Sequence, residues 1–259
     1  MIAFFDGRFL DENEVKISPF CAGFMYGKGV FTTLKFADNK IQFLGEHISR
    51  IKSGLKYFRM GFSDYGINNI IYHLVDLNRL DKARIKIVCF ENNNAKTSIL
   101  IKVQELKTQP EFVTLKSDDN LKGKLPIYKY KTLNYFYNIL SMQNAVNSNY
   151  DYSLFVSDFG DILETSYHNI FFIKHNEVFT PPDSLPLLPG IIRKKILEMK
   201  EINVIEQRIL FDKIASYDAV FITNSISIAM PVLKINQVFF DLDLGIEFSE
   251  KIKKLISEN

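Results

Sequence analysis

The sequence has few cysteines and no long apolar run. Only Cys21 and Cys89 occur among its 259 residues, and no CxxC pair exists, so a disulfide framework and a CxxC-type zinc or redox motif are excluded. No apolar run approaches the ~18 residues of a membrane span, and the first segment reaches acidic Asp6 too early for a signal peptide. These absences favour a soluble, cytoplasmic protein with no membrane partner.

Net charge is also small. Lysine plus arginine number 32 against 30 for aspartate plus glutamate, so the broad basic face of a nucleic-acid-binding protein is not expected. The composition, 47% hydrophobic and 24% charged, is near the globular average and excludes disordered, collagen-like or coiled-coil chains. The four histidines have no metal-ligand spacing, and GxSxG, Walker A and GxGxxG patterns do not occur. We therefore predict no metal site.

The first half of the chain is predicted to form several strands and two helices. The turn Asp6-Gly7 between Ile2–Phe5 and Arg8–Leu10 predicts a β-hairpin. Apolar residues at steps of four and three predict a helix over Leu44–Met60. Further predictions are a helix over Ile67–Leu77 and strands over Val30–Phe36, Lys40–Phe43, Ala83–Phe90, Thr97–Val103 and Glu111–Leu115.

An interruption of periodicity separates the two halves. Residues 116–129 contain acidic, glycine and proline residues without a strand or helix period, so we place a domain boundary there, between residues 121 and 122. The second half is predicted to hold helices over Asn134–Asn149, Ile191–Met199 and Glu247–Ile256, and strands over Ser153–Ser157, Ile170–Ile173, Glu177–Thr180, Asn203–Glu206, Ala219–Thr223 and Val238–Phe240.

Four segments carry residues suited to chemistry: EHISRI at Glu46–Ile51, YKTLNYFYNIL around Lys131, ETSYHNIFF at Glu164–Phe172, and LPGIIR at Leu188–Arg193. In this combination and order they resemble the class IV pyridoxal-phosphate enzymes, which include branched-chain and D-amino-acid aminotransferases and aminodeoxychorismate lyases. The resemblance implies an α+β fold with a smaller N-terminal α/β domain (1–121) and a larger, β-rich C-terminal cofactor-binding domain with helices (122–259). It also implies pyridoxal 5'-phosphate as cofactor, a small-molecule substrate and a homodimer.

The resemblance assigns three residues to the cofactor's ring. Lys131 matches the Schiff-base lysine, an amine that bonds the cofactor, is displaced by the substrate amine and then serves as the base. Glu164 matches the acid that keeps the pyridine nitrogen protonated, and Tyr135 matches a tyrosine that contacts the ring hydroxyl. A solvated lysine and an exposed strand-end glutamate are the alternatives, and the surrounding motifs favour the functional roles.

The resemblance also assigns the phosphate contacts. Arg50 matches the phosphate-binding arginine, whose fork suits bidentate contact. Backbone N–H groups of Ile191 and Ile192, at the start of a predicted helix, would bind the same group. Many members have threonine where Ile192 stands, so only its backbone contact carries over. Ser225 matches the hydroxyl residue of a second phosphate loop.

Substrate contacts are expected from the segment YGKGVFTT. Tyr26 and Lys28, together with Asn224, are predicted to bind substrate, and Thr32 and Thr33 are candidate catalytic hydroxyls. Lys28 departs from the small or acidic residue usual in the family, so it either meets a substrate carboxylate or is a solvated loop lysine. Each threonine is equally suited to being an ordinary strand residue.

The first functional hypothesis is a 4-amino-4-deoxychorismate lyase that gives 4-aminobenzoate and pyruvate for folate precursor synthesis. The short chain and the segments Phe31–Thr33 and Asn224–Val232 look more like the lyases. Tyr135, as in branched-chain enzymes, supports the alternative of an aminotransferase acting on branched-chain or D-amino acids. A third hypothesis is a cofactor-binding protein without turnover.

Overall fold

The computed structural model describes residues 1–118, 122–123 and 125–258. The chain forms two compact units. The first comprises Met1–Thr108 and Tyr130–Tyr135, and the second comprises Gln109–Lys129 and Phe136–Asn259. The boundary predicted between residues 121 and 122 falls at Leu121, outside the described residues, and stays a prediction. None of the described helices combines the length and apolar content needed to cross a bilayer.

The first unit is one antiparallel sheet with helices. Its strands are β1 (Ile2–Phe5), β2 (Arg8–Asp11), β3 (Gly29–Ala37), β4 (Lys40–Ile41), β5 (Ala83–Glu91) and β6 (Thr97–Glu105), and its helices are α1 (Ala22–Tyr26), α2 (Leu44–Tyr57) and α3 (Ile67–Leu77), with short 3-10 turns at Glu12–Glu14 and Asn93–Ala95. The sheet order is β2-β1-β6-β5-β3-β4. Asp6 and Gly7 both have positive φ, as a tight hairpin turn requires, and the predicted hairpin is confirmed.

The two faces of this sheet differ in character. Side chains alternate along each strand, so Leu34, Ile85 and Ile101 share one face, where they are fully buried in a core with residues of α2 and α3. Phe31 and Lys86 lie on the other face. Helix α2 ends three residues before the predicted Met60, because Arg59 adopts a left-handed conformation with φ 56°.

The segment Tyr130–Tyr135 extends the first unit beside the start of β3. The backbone N–H of Phe31 donates to the Lys131 carbonyl at 2.8 Å, and the Leu133 N–H donates to the Gly29 carbonyl at 3.0 Å. The Tyr130 ring stacks on Tyr57 of α2 with centroids 4.3 Å apart. Backbone pairing and ring stacking therefore fix the stretch that carries Lys131.

The second unit is a larger mixed sheet with three helices. Its strands are β7 (Val113–Ser117), β8 (Tyr152–Val156), β9 (Ile162–Thr165), β10 (Asn169–Lys174), β11 (Glu177–Thr180), β12 (Val204–Glu206), β13 (Ala219–Asn224), β14 (Ile228–Ile235) and β15 (Val238–Phe239), and its helices are α4 (Phe136–Asn147), α5 (Ile191–Leu197) and α6 (Leu242–Glu258), with 3-10 turns at Pro126–Lys129 and Phe211–Ser216. The order is β12-β11-β10-β13-β14-β7-β8-β9, with β15 paired to β14. This confirms the predicted α+β class.

Several elements differ from the sequence predictions, and β9 and α1 were not predicted at all. The strand predicted at Glu111–Leu115 lies at Val113–Ser117 and belongs to the second sheet, since it pairs in parallel with β8 and β14. Strand β14 was not predicted, because Pro231 in its middle is unusual for a paired strand. Helix α6 begins five residues before the predicted Glu247, where the Asp241 carboxylate accepts from the Leu244 N–H at 3.0 Å.

Candidate active site

Lys131 lies in an aromatic environment within the first unit. Its Nζ donates to the Tyr135 hydroxyl at 3.0 Å and lies 4.7 Å from the centroid of the Phe31 ring. Phe31 and Tyr135 pack edge to face, with centroids 5.1 Å apart. The predicted covalent lysine and the predicted ring-hydroxyl partner are therefore in direct contact.

Arg50 takes part in a buried polar cluster on the same unit. Its Nη2 donates to the Thr32 hydroxyl at 2.6 Å, and that hydroxyl lies 2.6 Å from Nδ1 of His47. Helix α2 places His47 and Arg50 one turn apart, facing Thr32 of β3. Among the described residues no carboxylate pairs with Arg50, and its buried Nε has no partner.

Charge and burial set the protonation states of this cluster. Burial, followed by the charges of Arg50 and Lys131, lowers the pKa of His47 to about 2, so its imidazole is neutral at pH 7. Burial lowers the pKa of Arg50 to about 10, opposed by Tyr135, and the guanidinium still carries its charge. The cluster therefore presents one cation with no described anion to balance it.

The sheet face that carries Phe31 also carries further cations. Lys86 Nζ lies 4.6 Å from the Phe31 ring centroid, so Phe31 contacts both Lys86 and Lys131. The β-ladder places Lys86 opposite Thr33 on β3 and opposite Lys102 on β6. Burial and the neighbouring Arg84 and Lys102 lower the pKa of Lys86.

Glu164 is held at both oxygens within the second unit. Its Oε1 accepts from Lys122 Nζ at 2.7 Å, and its Oε2 accepts from the Leu188 N–H at 3.0 Å. Both side chains of this ion pair are almost fully buried. Lys122 Nζ also lies 4.3 Å from the centroid of the Tyr128 ring. The predicted ring-nitrogen partner is thus a positioned carboxylate that forms an ion pair with Lys122 of its own unit.

Asn169 fixes the turn that precedes α5. Its Nδ2 donates to the Leu188 carbonyl at 2.8 Å, and a Cβ on Gly190 would lie 1.9 Å from its Oδ1, which requires glycine there. Helix α5 then starts at Ile191, with no side-chain cap from the described residues. The first N–H groups of α5, those of Ile191 and Ile192, have no intrahelical acceptor.

Asn224 and Ser225 lie in the turn between β13 and β14. The Asn224 Oδ1 accepts from the N–H groups of Ile226 and Ser227 and organises the turn. Ile228 closes it at φ 64°, a conformation rare for a β-branched residue and typical of strained functional loops. Because Asn169 pairs with Thr223 across the sheet, this turn is next to the start of α5.

The predicted substrate residues lie in varied surroundings. Tyr26 is 72% exposed on α1, and Lys28 forms an ion pair with Glu91. Thr33 lies on the face of β3 that carries Phe31, whereas Thr32 is fully buried on the opposite face. Lys28 is therefore already neutralised by a carboxylate of its own unit.

Three residues of these sites were missed by sequence reasoning: His47, Lys86 and Lys122. The spacing of His47 three residues before Arg50 is the signal that could have indicated the first of them. Lys86 and Lys122 become visible only through sheet register and long-range pairing. Among the described residues, no group of three or more His, Cys, Asp or Glu could hold a metal ion.

Comparison with known proteins identifies close structural relatives. The family model described as amino-transferase class IV matches residues 29–235. The aminodeoxychorismate lyase of Bacillus subtilis is 25% identical over 281 residues, covering 98% of this chain and 95% of that protein. The D-alanine aminotransferase of Bacillus licheniformis is 24% identical over 255 residues, covering 91% and 89%. The branched-chain aminotransferase of Thermoproteus uzoniensis superposes with a TM-score of 0.90 at 19% identity, covering 99% and 94%.

Proposed function

The chain belongs to the class IV aminotransferase family of pyridoxal 5'-phosphate-dependent enzymes, and within that family we propose that it cleaves 4-amino-4-deoxychorismate into 4-aminobenzoate and pyruvate. The choice of this substrate rests on one observation. Lys86 lies over the same Phe31 ring as Lys131, on a sheet face that also carries Arg84 and Lys102. The amine assigned to catalysis is thus next to cations suited to an acidic substrate.

The residues of each unit fit the cofactor. In the first unit, the Arg50 guanidinium lacks a described carboxylate partner and has a buried Nε without a described acceptor, as expected of a residue that binds phosphate. In the second unit, the first N–H groups of α5 are open donors, and Glu164 offers a fixed carboxylate for a protonated ring nitrogen. Lys131 would hold the cofactor covalently through Nζ.

Lys131 is the proposed base. Bound pyridoxal phosphate supplies an electron sink for the negative charge that develops at the substrate carbon bearing the amine. The Lys131 amine removes the proton from C4, the bond from the neighbouring ring carbon to the enolpyruvyl oxygen breaks, and enolpyruvate takes up a proton to become pyruvate. Tyr135, hydrogen-bonded to Nζ, orients the amine for this transfer.

Substrate charge favours the lyase over amino-group transfer from amino acids with apolar side chains. 4-Amino-4-deoxychorismate carries two carboxylates, whereas branched-chain amino acids and D-alanine have apolar side chains. An apolar side chain placed against Lys86 and Lys102 would take water from these ammonium groups without returning a contact, which is unfavourable. A carboxylate would instead gain charge-assisted hydrogen bonds.

An aminotransferase is the second candidate. It is favoured by the similarity to D-alanine aminotransferase and by the Tyr135 hydroxyl beside Lys131, as the sequence resemblance to branched-chain enzymes predicts. Such an enzyme uses the same base and the same Glu164, but it needs a keto acid as second substrate. The two candidates therefore differ in a requirement that can be measured.

The test is product formation without a keto acid. Purified, cofactor-loaded protein is incubated with 4-amino-4-deoxychorismate, and 4-aminobenzoate and pyruvate are measured together. We expect equal amounts of both, because each cleavage releases one of each. Absence of product from protein that still forms its cofactor absorbance band, together with amino-group transfer from an amino acid to a keto acid, would establish the aminotransferase instead.

The replacement Lys86→Met should weaken substrate binding. We expect KM for 4-amino-4-deoxychorismate to rise about tenfold or more, the usual effect of losing one charged hydrogen bond, with a much smaller change in kcat. Lys86→Arg keeps the charge and should stay near the wild-type KM. Lys40→Met, which removes an exposed lysine from the edge strand of the same sheet, is the control. An unchanged KM in Lys86→Met would contradict this substrate assignment.

A further inference from the structure

Hydrogen-bond directions in the Arg50 cluster determine the tautomer of His47. The Arg50 guanidinium can only donate, and its Nη2 lies 2.6 Å from the Thr32 hydroxyl and 3.3 Å from Nδ1 of His47. If Nδ1 of His47 carried a proton, two donors, this N–H and the Arg50 Nη2, would face each other without an acceptor between them. Nδ1 must therefore be the unprotonated acceptor, so the Thr32 hydroxyl accepts from Arg50 and donates to His47.

We propose that Thr32 and His47 are positioning residues that hold Arg50 for the cofactor phosphate, through the ordered chain Arg50 to Thr32 to His47. This inference rests on the proposed cofactor role of Arg50. An arginine side chain has high conformational entropy. A buried partner that already fixes one guanidinium nitrogen reduces the entropy that Arg50 loses when the phosphate binds. This series of hydrogen bonds ends at the buried imidazole of His47, which offers only one acceptor atom to the Thr32 hydroxyl.

One further observation supports this arrangement. The imidazole is neutral because burial and the charges of Arg50 and Lys131 lower its pKa to about 2, so it stays an acceptor at neutral pH. Binding of the phosphate group is therefore expected to depend strongly on how well Arg50 is held.

The arrangement also separates the roles of the two threonines. The Thr32 proton is directed at His47, so it is not free to reach a departing substrate group. Thr33 lies on the opposite face of β3, opposite Lys86, and keeps its hydroxyl on the side of Phe31 and Lys131. Of the two predicted catalytic hydroxyls, Thr33 is the one suited to contact substrate.

The test compares two cofactor forms that differ only in the phosphate. Affinities of the cofactor-free protein for pyridoxal 5'-phosphate and for pyridoxal are measured by absorbance titration. Thr32→Val keeps the shape but removes the hydroxyl, and we expect about a tenfold or greater loss of affinity for the phosphorylated form, with affinity for pyridoxal unchanged. Thr32→Ser should restore the wild-type preference.

His47 is tested in the same way. His47→Leu removes the acceptor and should reduce the preference for the phosphorylated form, whereas the amide oxygen of His47→Asn can replace Nδ1 and should restore most of it. Ser98→Ala is the matched control, since Ser98 is a fully buried polar residue of the same sheet whose hydroxyl donates to Asp6 at 2.7 Å. It should lower thermal stability without changing the preference.

The outcomes distinguish this inference from the proposed function. If Arg50→Met loses the preference but Thr32→Val and His47→Leu keep it, the positioning roles are wrong and the cofactor role of Arg50 stands. If Arg50→Met also keeps the preference, the phosphate assignment of Arg50 is wrong. Equal losses of affinity for both cofactor forms in the Thr32 and His47 variants would indicate a merely structural role and overturn the inference.

Discussion

Lys131→Ala should abolish turnover, with kcat reduced by about 10⁴-fold or more. The variant loses a positioned proton-transfer group, which alone contributes up to about 10⁴-fold, and it also loses the covalent attachment point of the cofactor. This holds whether the enzyme is a lyase or an aminotransferase, because both reactions need the same amine. Initial rates and reductive trapping of the cofactor on the protein are the two measurements.

The control for this prediction is another lysine of the same unit. Lys56 is exposed near the end of α2, and Lys56→Ala should keep both the rate and the trapped cofactor. A Lys131→Ala protein that retained turnover and covalently bound cofactor would show that a different amine performs the chemistry. The hydrogen bond to Tyr135 would then be a structural contact only.

Glu164→Gln should lower kcat by about a hundredfold or more, the scale on which single preorganised electrostatic contacts act in catalysis. A neutral amide cannot hold a proton on the ring nitrogen by charge, so the electron sink weakens. The same replacement leaves the buried Lys122 ammonium without its carboxylate, which costs about 3–5 kcal/mol of folding stability. Steady-state kinetics and thermal unfolding measure the two effects separately.

A double variant separates the two roles of Glu164. Glu164→Gln combined with Lys122→Met removes both charges of the buried pair, so it should recover most of the lost stability while kcat stays low. If the double variant recovered kcat together with stability, the carboxylate would act only by holding the fold. Recovery of neither would mean that the Lys122 side chain contributes more than charge balance, through its contact with the Tyr128 ring.

The sequence predicts the local elements of this protein well, because their signals are local. The hairpin at Asp6-Gly7 and the helix at Ile67–Leu77 follow from turn chemistry and periodicity, and both occur at the predicted residues. The pairing partner of a strand has no such local signal, since it depends on residues far away in the sequence. Nothing near Val113–Ser117 indicates that this strand pairs with β8 and β14 rather than with the preceding sheet.

The same distinction applies to the site residues. Motifs give the residue types that match the family, such as Lys131, Arg50 and Glu164, and their roles remain predictions until the variants are measured. The motifs do not give the residues that contact these side chains. Lys122 lies 42 positions before Glu164, and Thr32 lies 18 positions before Arg50, so neither contact follows from spacing along one helix or strand.

The division of the chain into units has a consequence for biosynthesis. The first unit comprises Met1–Thr108 and Tyr130–Tyr135, with residues of the second unit between them. A nascent chain that has just completed β6 already contains Arg50 and Thr32, but it lacks the stretch that carries Lys131. Domains generally form as they emerge during synthesis, so this sheet can assemble before its reactive lysine exists. A protein fragment that ends at Thr108 would therefore lack both the proposed reactive lysine and the segment that pairs with the start of β3.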